Sequence, residues 1–178
     1  MTRINAMLER RKDDSGFTLI ELMVVVLIIG ILIAIAIPTF LGARQRAQDR
    51  AAQSALRNSV TAAKTLYTDK EDYTTANSTN LQTSEPSISF VDHNVDSDKT
   101  KAPNSVSAYG KDTQHWFGAA FSASGTCWYV EEDVSTDALA GTHWAKRAGA
   151  AAGECNGDYV AAHNPAATAT DPGTATAI

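Results

Sequence analysis

The sequence has few of the residues on which many protein classes depend. Its 178 residues include two cysteines, five prolines and four histidines, and aromatic residues make up 7% of the chain. Two cysteines exclude a zinc site built from several thiolates. The 15 Lys and Arg are outnumbered by 20 Asp and Glu, giving a net charge of −5. This balance disfavours a dedicated nucleic-acid-binding domain. Nucleic acid stays open as a partner of a local basic patch.

Motifs of catalysis are absent from the sequence. It contains no G-x-S-x-G nucleophile motif and no glycine-rich phosphate loop. The histidines are scattered along the chain, at His93, His115, His143 and His163. We therefore predict that the protein is not an enzyme and holds no cofactor.

One acidic stretch superficially resembles a calcium-binding loop. Oxygen-bearing side chains alternate at Asp92, Asn94, Asp96 and Asp98. However, Ser97 stands where such a loop needs glycine, and Pro103 stands where it needs a bidentate glutamate. The pattern favours a polar loop without a metal ion.

The apolar residues are concentrated near the N-terminus, although the mean hydropathy is only −0.19. Leu22 to Ile37 is a run without a charged or hydrogen-bonding side chain, and the apolar segment extends over residues 17–41. As a helix, that segment is ~37 Å long, enough to cross a hydrocarbon core of ~30 Å. We predict a transmembrane helix at 17–41.

A polar leader, residues 1–16, precedes this helix and ends in Ser15-Gly16. A secretory signal peptide carries its cleavage site after its apolar run, so any cut here would leave the helix attached. Residues 1–16 and 42–57 each contain four Lys or Arg, so charge does not decide the orientation. Cysteine usage and the polar C-terminal bulk favour an exported C-terminus.

Glu21 is the only ionisable residue between Phe17 and Leu41. A carboxylate in hydrocarbon is unfavourable unless it finds a partner or stays near the interface. Two interpretations stay open. Glu21 reaches the headgroup region and interacts with the helix N-terminal dipole, or it has a charge partner.

The residues from Gly16 to Glu21, GFTLIE, together with the long apolar helix and Pro38, resemble the processing site of type IV prepilins and related pseudopilins. The resemblance covers roughly residues 10–50. It implies that a prepilin peptidase cuts between Gly16 and Phe17 and methylates the new amine of Phe17. It also implies an assembly ATPase and an inner-membrane platform protein as partners.

Cleavage would give Phe17 a positively charged α-amino group. Residues 17 and 21 are four apart, so Glu21 could neutralise this amine within one helix. Alternatively, Glu21 of a seated subunit attracts the amine of an incoming subunit, because two unpaired charges in lipid are worse than one pair. The second arrangement would give assembly a register.

Small residues recur every four positions and so line one side of this helix, at Gly30, Ala34, Pro38 and Gly42. Such spacing lets helices approach closely in lipid. Gly30 and Pro38 also weaken the helix, so we expect a bend or local loosening between them. A lipid-facing stripe without a partner is the alternative, whereas the resemblance favours packing in a fibre core.

An amphipathic continuation of the helix is predicted at 42–73. Its apolar stripe consists of Ala52, Leu56, Val60, Ala63 and Tyr67. The stripe needs a cover, which a globular head would supply. A membrane-proximal coiled coil is the alternative, but sustained leucine heptads are missing.

The head is predicted at 74–160, and its first part, 74–87, is a polar connector. Strand-like runs lie at Ile88–Asp92, Val106–Tyr109, His115–Phe121 and Cys127–Glu131, and the last two form a hairpin. We predict an α+β fold of two layers, in which the long helix packs on a C-terminal antiparallel sheet. Five aromatic residues are expected to pack in the core of the head: Trp116, Phe117, Phe121, Trp128 and Tyr129.

In an exported head, Cys127 and Cys155 favour a disulfide, with two free buried thiols as the alternative. Glu131-Glu132-Asp133 and Lys146-Arg147 are expected to be solvated charges, with contact to neighbouring subunits equally open. The Ala/Thr-rich residues 161–178 suggest a flexible tail.

The resemblance to type IV prepilins implies a structural subunit of a type IV pilus. Such a subunit is expected to be stored in the cytoplasmic membrane and to polymerise with copies of itself into a surface filament for motility, adhesion or DNA uptake. Two alternatives remain: a pseudopilin of a type II secretion or competence system, and a single-pass, membrane-anchored binding protein that does not polymerise.

Overall fold

The computed structural model describes residues 16–163 and the backbone of 176–177. Contacts divide the chain into two units, Met1–Ala43 and Arg44–Ile178. The elements in chain order are α1 (Leu19–Lys70), a 3-10 helix (Tyr73–Thr75), α2 (Ser78–Ser84), β1 (Ser89–Asp92), β2 (Ser105–Gly110), β3 (His115–Phe121), β4 (Thr126–Asp133), β5 (Gly141–Ala148), α3 (Gly157–His163) and β6 (Thr176–Ala177).

The first unit consists, in its described part, of the apolar portion of α1. The helix is long and apolar enough to cross a membrane, and its most apolar window has no buried residue. The helix continues through Pro38, and the bend or local loosening expected between Gly30 and Pro38 stays a prediction. Thr39 donates its hydroxyl to the carbonyl of Ala36 at 2.9 Å, which satisfies a polar side chain within an apolar segment.

The second unit contains one sheet in the order β1-β2-β3-β4-β5-β6. The pairs from β2 onward are antiparallel. This layout, with its long N-terminal helix, confirms the predicted α+β fold class. The β1–β2 pair differs, because it is parallel, with Ser89 opposite Ser105. Residues 93–104 return the chain to the starting end of β1 before β2 begins, and so replace the tight hairpin that antiparallel pairing would use.

All four predicted strands are present, and β3 has the predicted bounds. The sequence interpretation missed β5. It also treated 74–87 as a connector, whereas the structure forms a 3-10 helix and α2 there. Asp72 and Asn77 cap these helices by accepting hydrogen bonds from the backbone N–H groups of Thr74 and Asn80. Of the tail predicted at 161–178, α3 extends to His163, Thr176–Ala177 pair with β5, and the rest lies outside the described residues.

The predicted helix stripe packs against one face of the sheet. Ala52, Leu56 and Ala63 are fully buried, and they share a core with Trp116 and Trp128 of the sheet. The small alanine side chains of the helix and the large indoles of the sheet together fill this core. Trp116 also donates its indole N–H to the carbonyl of Ala76 at 3.0 Å, which satisfies that buried polar group.

The opposite face of the sheet is also covered, which corrects the two-layer prediction. Phe117, Phe121 and Tyr129 alternate with the residues of the first face and pack with Cys155 and Val160. The alternation of apolar residues along the strands already indicated this second apolar face. Its cover, a loop and the short helix α3, was not predicted. All five predicted core aromatics are buried on one face or the other.

Glu131, Glu132 and Asp133 are not the solvated charges that the sequence suggested. Their exposed fractions are 1%, 4% and 5%. Glu132 pairs with Lys64 of α1 at 2.8 Å and accepts a hydrogen bond from Thr142. The carboxylates are buried because β4 is a central strand, flanked by β3 and β5 and covered on both faces.

Gly110 provides a test of the close approach between the 3-10 helix and β2. A Cβ at this position would lie 1.8 Å from the carbonyl oxygen of Tyr73, a backbone atom that cannot rotate away. We expect Gly110→Ala to destabilise the head by about 3 kcal/mol, because the clash requires a backbone shift. Thr113→Ala is the control, since Thr113 contributes its backbone carbonyl there, accepting from Tyr73, and its side chain is exposed. Equal denaturant midpoints for the two variants would contradict this packing.

Candidate functional site

The predicted processing site lies immediately before α1. Gly16, Phe17 and Thr18 precede the helix, which begins at Leu19. The side chain of Phe17 is 74% exposed, and the space around Gly16 is open. The peptide bond between Gly16 and Phe17 is therefore in an exposed segment outside the helix, the kind of site that a peptidase can reach.

Thr18 and Glu21 form a capping box at the start of α1. Thr18 Oγ1 accepts a hydrogen bond from the backbone N–H of Glu21 at 3.2 Å. In return, Glu21 Oε2 accepts from the backbone N–H of Thr18 at 2.9 Å and from its hydroxyl at 2.7 Å. These bonds satisfy donors that a helix N-terminus leaves without intrahelical partners. The sequence interpretation missed this box, although T-x-x-E before an apolar run is its signature.

The capping box gives Glu21 hydrogen bonds but no counter-charge. Its bonds come from Thr18, which is neutral, and the ion pairs of the described residues do not include Glu21. Its carboxylate is placed at the first turn of the helix, where the helix dipole favours a negative charge. Both interpretations, a carboxylate at the membrane interface and a pair with the Phe17 amine, stay predictions.

The small-residue positions lie on the exposed surface of the apolar helix. Gly30 has no heavy atom within 4 Å of where a Cβ would lie, Ala34 and Pro38 are exposed, and Gly42 is half-buried. Their neighbours along the helix are large apolar side chains that are also exposed, such as Leu27 at 64%. The structure thus presents these small residues as a shallow strip on an uncovered apolar surface.

A second feature is the loop closed by the disulfide between Cys127 and Cys155, the pairing that the sequence favoured. Asp96 holds this loop from outside the disulfide. Its carboxylate accepts from the backbone N–H groups of Gly153 at 2.6 Å and Cys155 at 3.0 Å, and from the Asn156 side chain at 3.1 Å. Asp96 belongs to the stretch that resembled a calcium loop, and here its oxygens are used by protein donors.

Arg147 and Lys146 are also engaged within the head, which corrects the expectation that they are solvated. Arg147 pairs with Glu154 at 3.0 Å and donates to the hydroxyl of Tyr159 at 2.7 Å. Lys146 Nζ lies 5.5 Å from the ring centre of Trp128. Tyr129 donates its hydroxyl to the carbonyl of Glu154 at 2.6 Å, and burial raises the pKa of that phenol. These contacts attach the loop to β4 and β5.

The histidines make local contacts. His93 bonds to Asp158 and His115 to Asp112, each at 2.8 Å, while His143 and His163 bond to backbone carbonyls. Among the residues that the structure describes, no group of three or more His, Cys, Asp or Glu could hold a metal ion.

Comparison with known proteins identifies the N-terminal segment. Residues 11–37 match the family model of the prokaryotic N-terminal methylation motif. The chain is 49% identical over 60 residues to the type IV major pilin protein PilA of Myxococcus xanthus, covering 34% of this chain and 27% of that protein. It is 41% identical over 63 residues to the type IV wide pilus major component PilA4 of Thermus thermophilus, covering 35% and 48%. No solved structure gives a significant match.

The matched segment and the fold together define a class of protein: an N-terminal methylation motif on an apolar helix, followed by an α+β head. The N-terminal segment of the chain is similar to that of type IV major pilins. Its precursor is membrane-anchored, and type IV pilins form surface filaments. The matches span about a quarter and about a half of the length of these relatives.

Asp96 offers a test of the loop geometry. We expect Asp96→Ala to lower the stability of the head by about 2 kcal/mol, because three donors lose a charged acceptor. Amide hydrogen exchange should accelerate at residues 153–156 more than in the strands. Asp98→Ala is the matched control, since the hydrogen bonds of the Asp98 carboxylate go to the neighbouring Thr100. Unchanged exchange in the loop of the Asp96 variant would show that the disulfide alone holds it.

Proposed function

We propose that this chain is the structural subunit of a type IV pilus. In this proposal it is made as a prepilin, stored in the cytoplasmic membrane, cut between Gly16 and Phe17, and polymerised into a helical surface filament. The observation that carries the proposal is the apolar surface of α1. From Phe17 to Leu41 its large apolar side chains are exposed, with Phe17, Leu19 and Phe40 each at least 70% exposed.

Such a surface needs a cover, since exposed apolar area is unfavourable at roughly 25 cal/mol per Å². Lipid provides the cover for the stored subunit, and the helices of other subunits provide it in the filament. The second unit does not share this need, because Ala52, Leu56 and Ala63 are already buried in the head's own core. A chain whose two units differ in this way suits storage in a membrane followed by assembly.

The proposal assigns a role to each part of the chain. Residues 1–16 are the leader removed by a prepilin peptidase, which also methylates the Phe17 amine. Residues 17–41 are the transmembrane and filament-core helix, and 42–73 and 74–160 form the head. The strip of Gly30, Ala34, Pro38 and Gly42 lets neighbouring helices approach closely. The chain has no nucleotide-binding motif, so an assembly ATPase and an inner-membrane platform protein supply the work of extraction.

The names of the relatives favour a pilus subunit over the alternatives. One is called a type IV major pilin and the other a wide pilus major component, and neither is called a pseudopilin. A membrane-anchored binding protein that never polymerises is the competing hypothesis from another class. That protein would stay in the membrane fraction and would be absent from filaments sheared off the cell surface.

Processing can be measured on the filament subunit itself. We expect mass spectrometry of subunits from sheared filaments to give a chain that begins at Phe17 and carries one added methyl group on its amine. Reduction should leave that N-terminal fragment unchanged and add two hydrogens at Cys127 and Cys155. A subunit that keeps residues 1–16 in the filament would refute the processing proposal.

The charge of Glu21 can be separated from its capping role. Glu21→Gln keeps an acceptor for the Thr18 N–H but removes the charge, whereas Thr18→Ala removes the cap and keeps the charge. We expect Glu21→Gln to reduce sheared filaments at least roughly tenfold, because an uncompensated Phe17 amine opposes burial. Thr18→Ala should reduce them far less.

Both variants should insert into the membrane at wild-type levels, as measured by membrane fractionation and immunoblotting. The pairing hypothesis predicts that only the charge matters for filament yield. If Thr18→Ala is as defective as Glu21→Gln, the cap is what assembly needs, and the charge-pair role is wrong.

A further inference from the structure

We propose that the head carries two oppositely charged ends, and that the basic end of one subunit binds the acidic end of another copy in the filament. This inference rests on the proposed function and adds to it a second contact, between heads. It concerns a cleft and a carboxylate cluster that the N-terminal motif does not involve.

The direction of β4 along α1 establishes where the two ends are. Ser124, just before β4, hydrogen-bonds to Asp49 at 2.5 Å. Glu132, near the end of β4, pairs with Lys64 at 2.8 Å. Strand and helix therefore run in the same direction through the head. Residues near Asp49 and Ser124 lie at one end of the head, and residues beyond Lys64 and Glu132 lie at the other.

The first end carries a basic cleft of about 380 Å³, large enough for acidic side chains. Arg46, Arg50 and Lys146 line it, together with one acid, Asp49. The lysine and arginine ion pairs of the described residues involve Lys64, Lys101 and Arg147, so none involves these three cations. The cleft also includes Trp128, whose buried indole N–H has no hydrogen-bond partner among the described residues. With three cations against one acid, the cleft has a net positive charge.

The other end is acidic. Asp69, Glu71 and Asp72 lie where α1 ends and the 3-10 helix begins, and Asp69 and Glu71 are exposed. Asp112 is in the adjacent β2–β3 turn, where the backbone of Thr113 accepts from Tyr73. Asp137 follows in the loop after β4. The cations near these carboxylates are Lys70 and Lys111. Lys111 lies over the ring of Phe117, on the other face of the sheet.

The two ends are too far apart to neutralise each other within one head. Arg46 and Asp69 are 23 residues apart in a continuous helix, which corresponds to about 35 Å at 1.5 Å per residue. Screening at physiological salt removes most interaction beyond ~8 Å. The charges can be matched only by another molecule, and a second copy presents the complementary end. The same match favours head-to-tail stacking over the reverse, because like-charged ends repel.

Charge reversal in cells that make filaments tests the contact with the full chain. Arg46→Glu with Arg50→Glu, or Asp69→Lys with Glu71→Lys, should each lower the yield of sheared filaments roughly tenfold. All four changes together should restore most of the yield, because the ends are again complementary. If the combined variant is no better than either pair, binding between the ends is wrong. A loss confined to the Arg46 and Arg50 variant, with less subunit in the membrane, would assign the cleft to anionic lipid instead.

A cross-link tests the same contact by proximity, with only one charge removed from each end. Cys127 and Cys155 are paired, so added thiols report new contacts. Arg50→Cys combined with Glu71→Cys should give a ladder of disulfide-linked multimers from oxidised filaments. The control combines Arg50→Cys with Thr61→Cys, at an exposed position midway along the head helix, and should not give a ladder. Equal ladders would overturn the inference, while an absence of wild-type filaments would instead refute the proposed function.

Discussion

The organisation of this chain depends on one constraint, an apolar helix surface that its own described residues leave uncovered. From Phe17 to Leu41 the side chains are exposed, and the most apolar window of the helix has no buried residue. Burial of this surface is favourable in any apolar surrounding, so it can be transferred from lipid to other helices with a small net change. That property allows the same segment to serve storage and assembly in the proposed function, and it explains why the head must have its own core.

Apolar burial is non-directional, so it cannot by itself set the alignment of identical helices. That alignment must be set by polar groups at defined positions. The structure places Glu21 in a capping box, which holds its carboxylate at the first turn of α1. The cap uses Glu21 Oε2, and Oε1 makes no hydrogen bond to the described residues. Capping and a charge contact to another chain are therefore compatible functions of one residue.

Much of the fold followed from periodicity, and the failures have a common physical cause. The helix stripe and the aromatic strands are regular patterns of apolar residues, and the structure buries nearly all of them; Tyr67 is half-buried. The missed strand β5 reads GTHWAKRA, in which only Ala145 is fully buried and most other residues are half-buried, so it lacks a clear apolar alternation. Glu131 to Asp133 were wrongly expected to be solvated, because a run of charges does not reveal burial. Their burial follows from the position of β4 among its neighbours. Strand order and the cover of the second face depend on tertiary contacts, which a single sequence does not reveal.

Charge also positions the long helix on the sheet within the head. The contact surface of α1 is rich in alanine, at Ala52, Ala55 and Ala63, and such a smooth surface discriminates weakly between neighbouring alignments. Lys64 and Glu132 form a pair in which the carboxylate is buried, so sliding the helix by one turn would leave a buried charge unpaired. Asp49 and Ser124 make a second polar contact near the other end of the strand. We infer that these two contacts set the alignment of helix and sheet, and thereby separate the basic cleft from the acidic end.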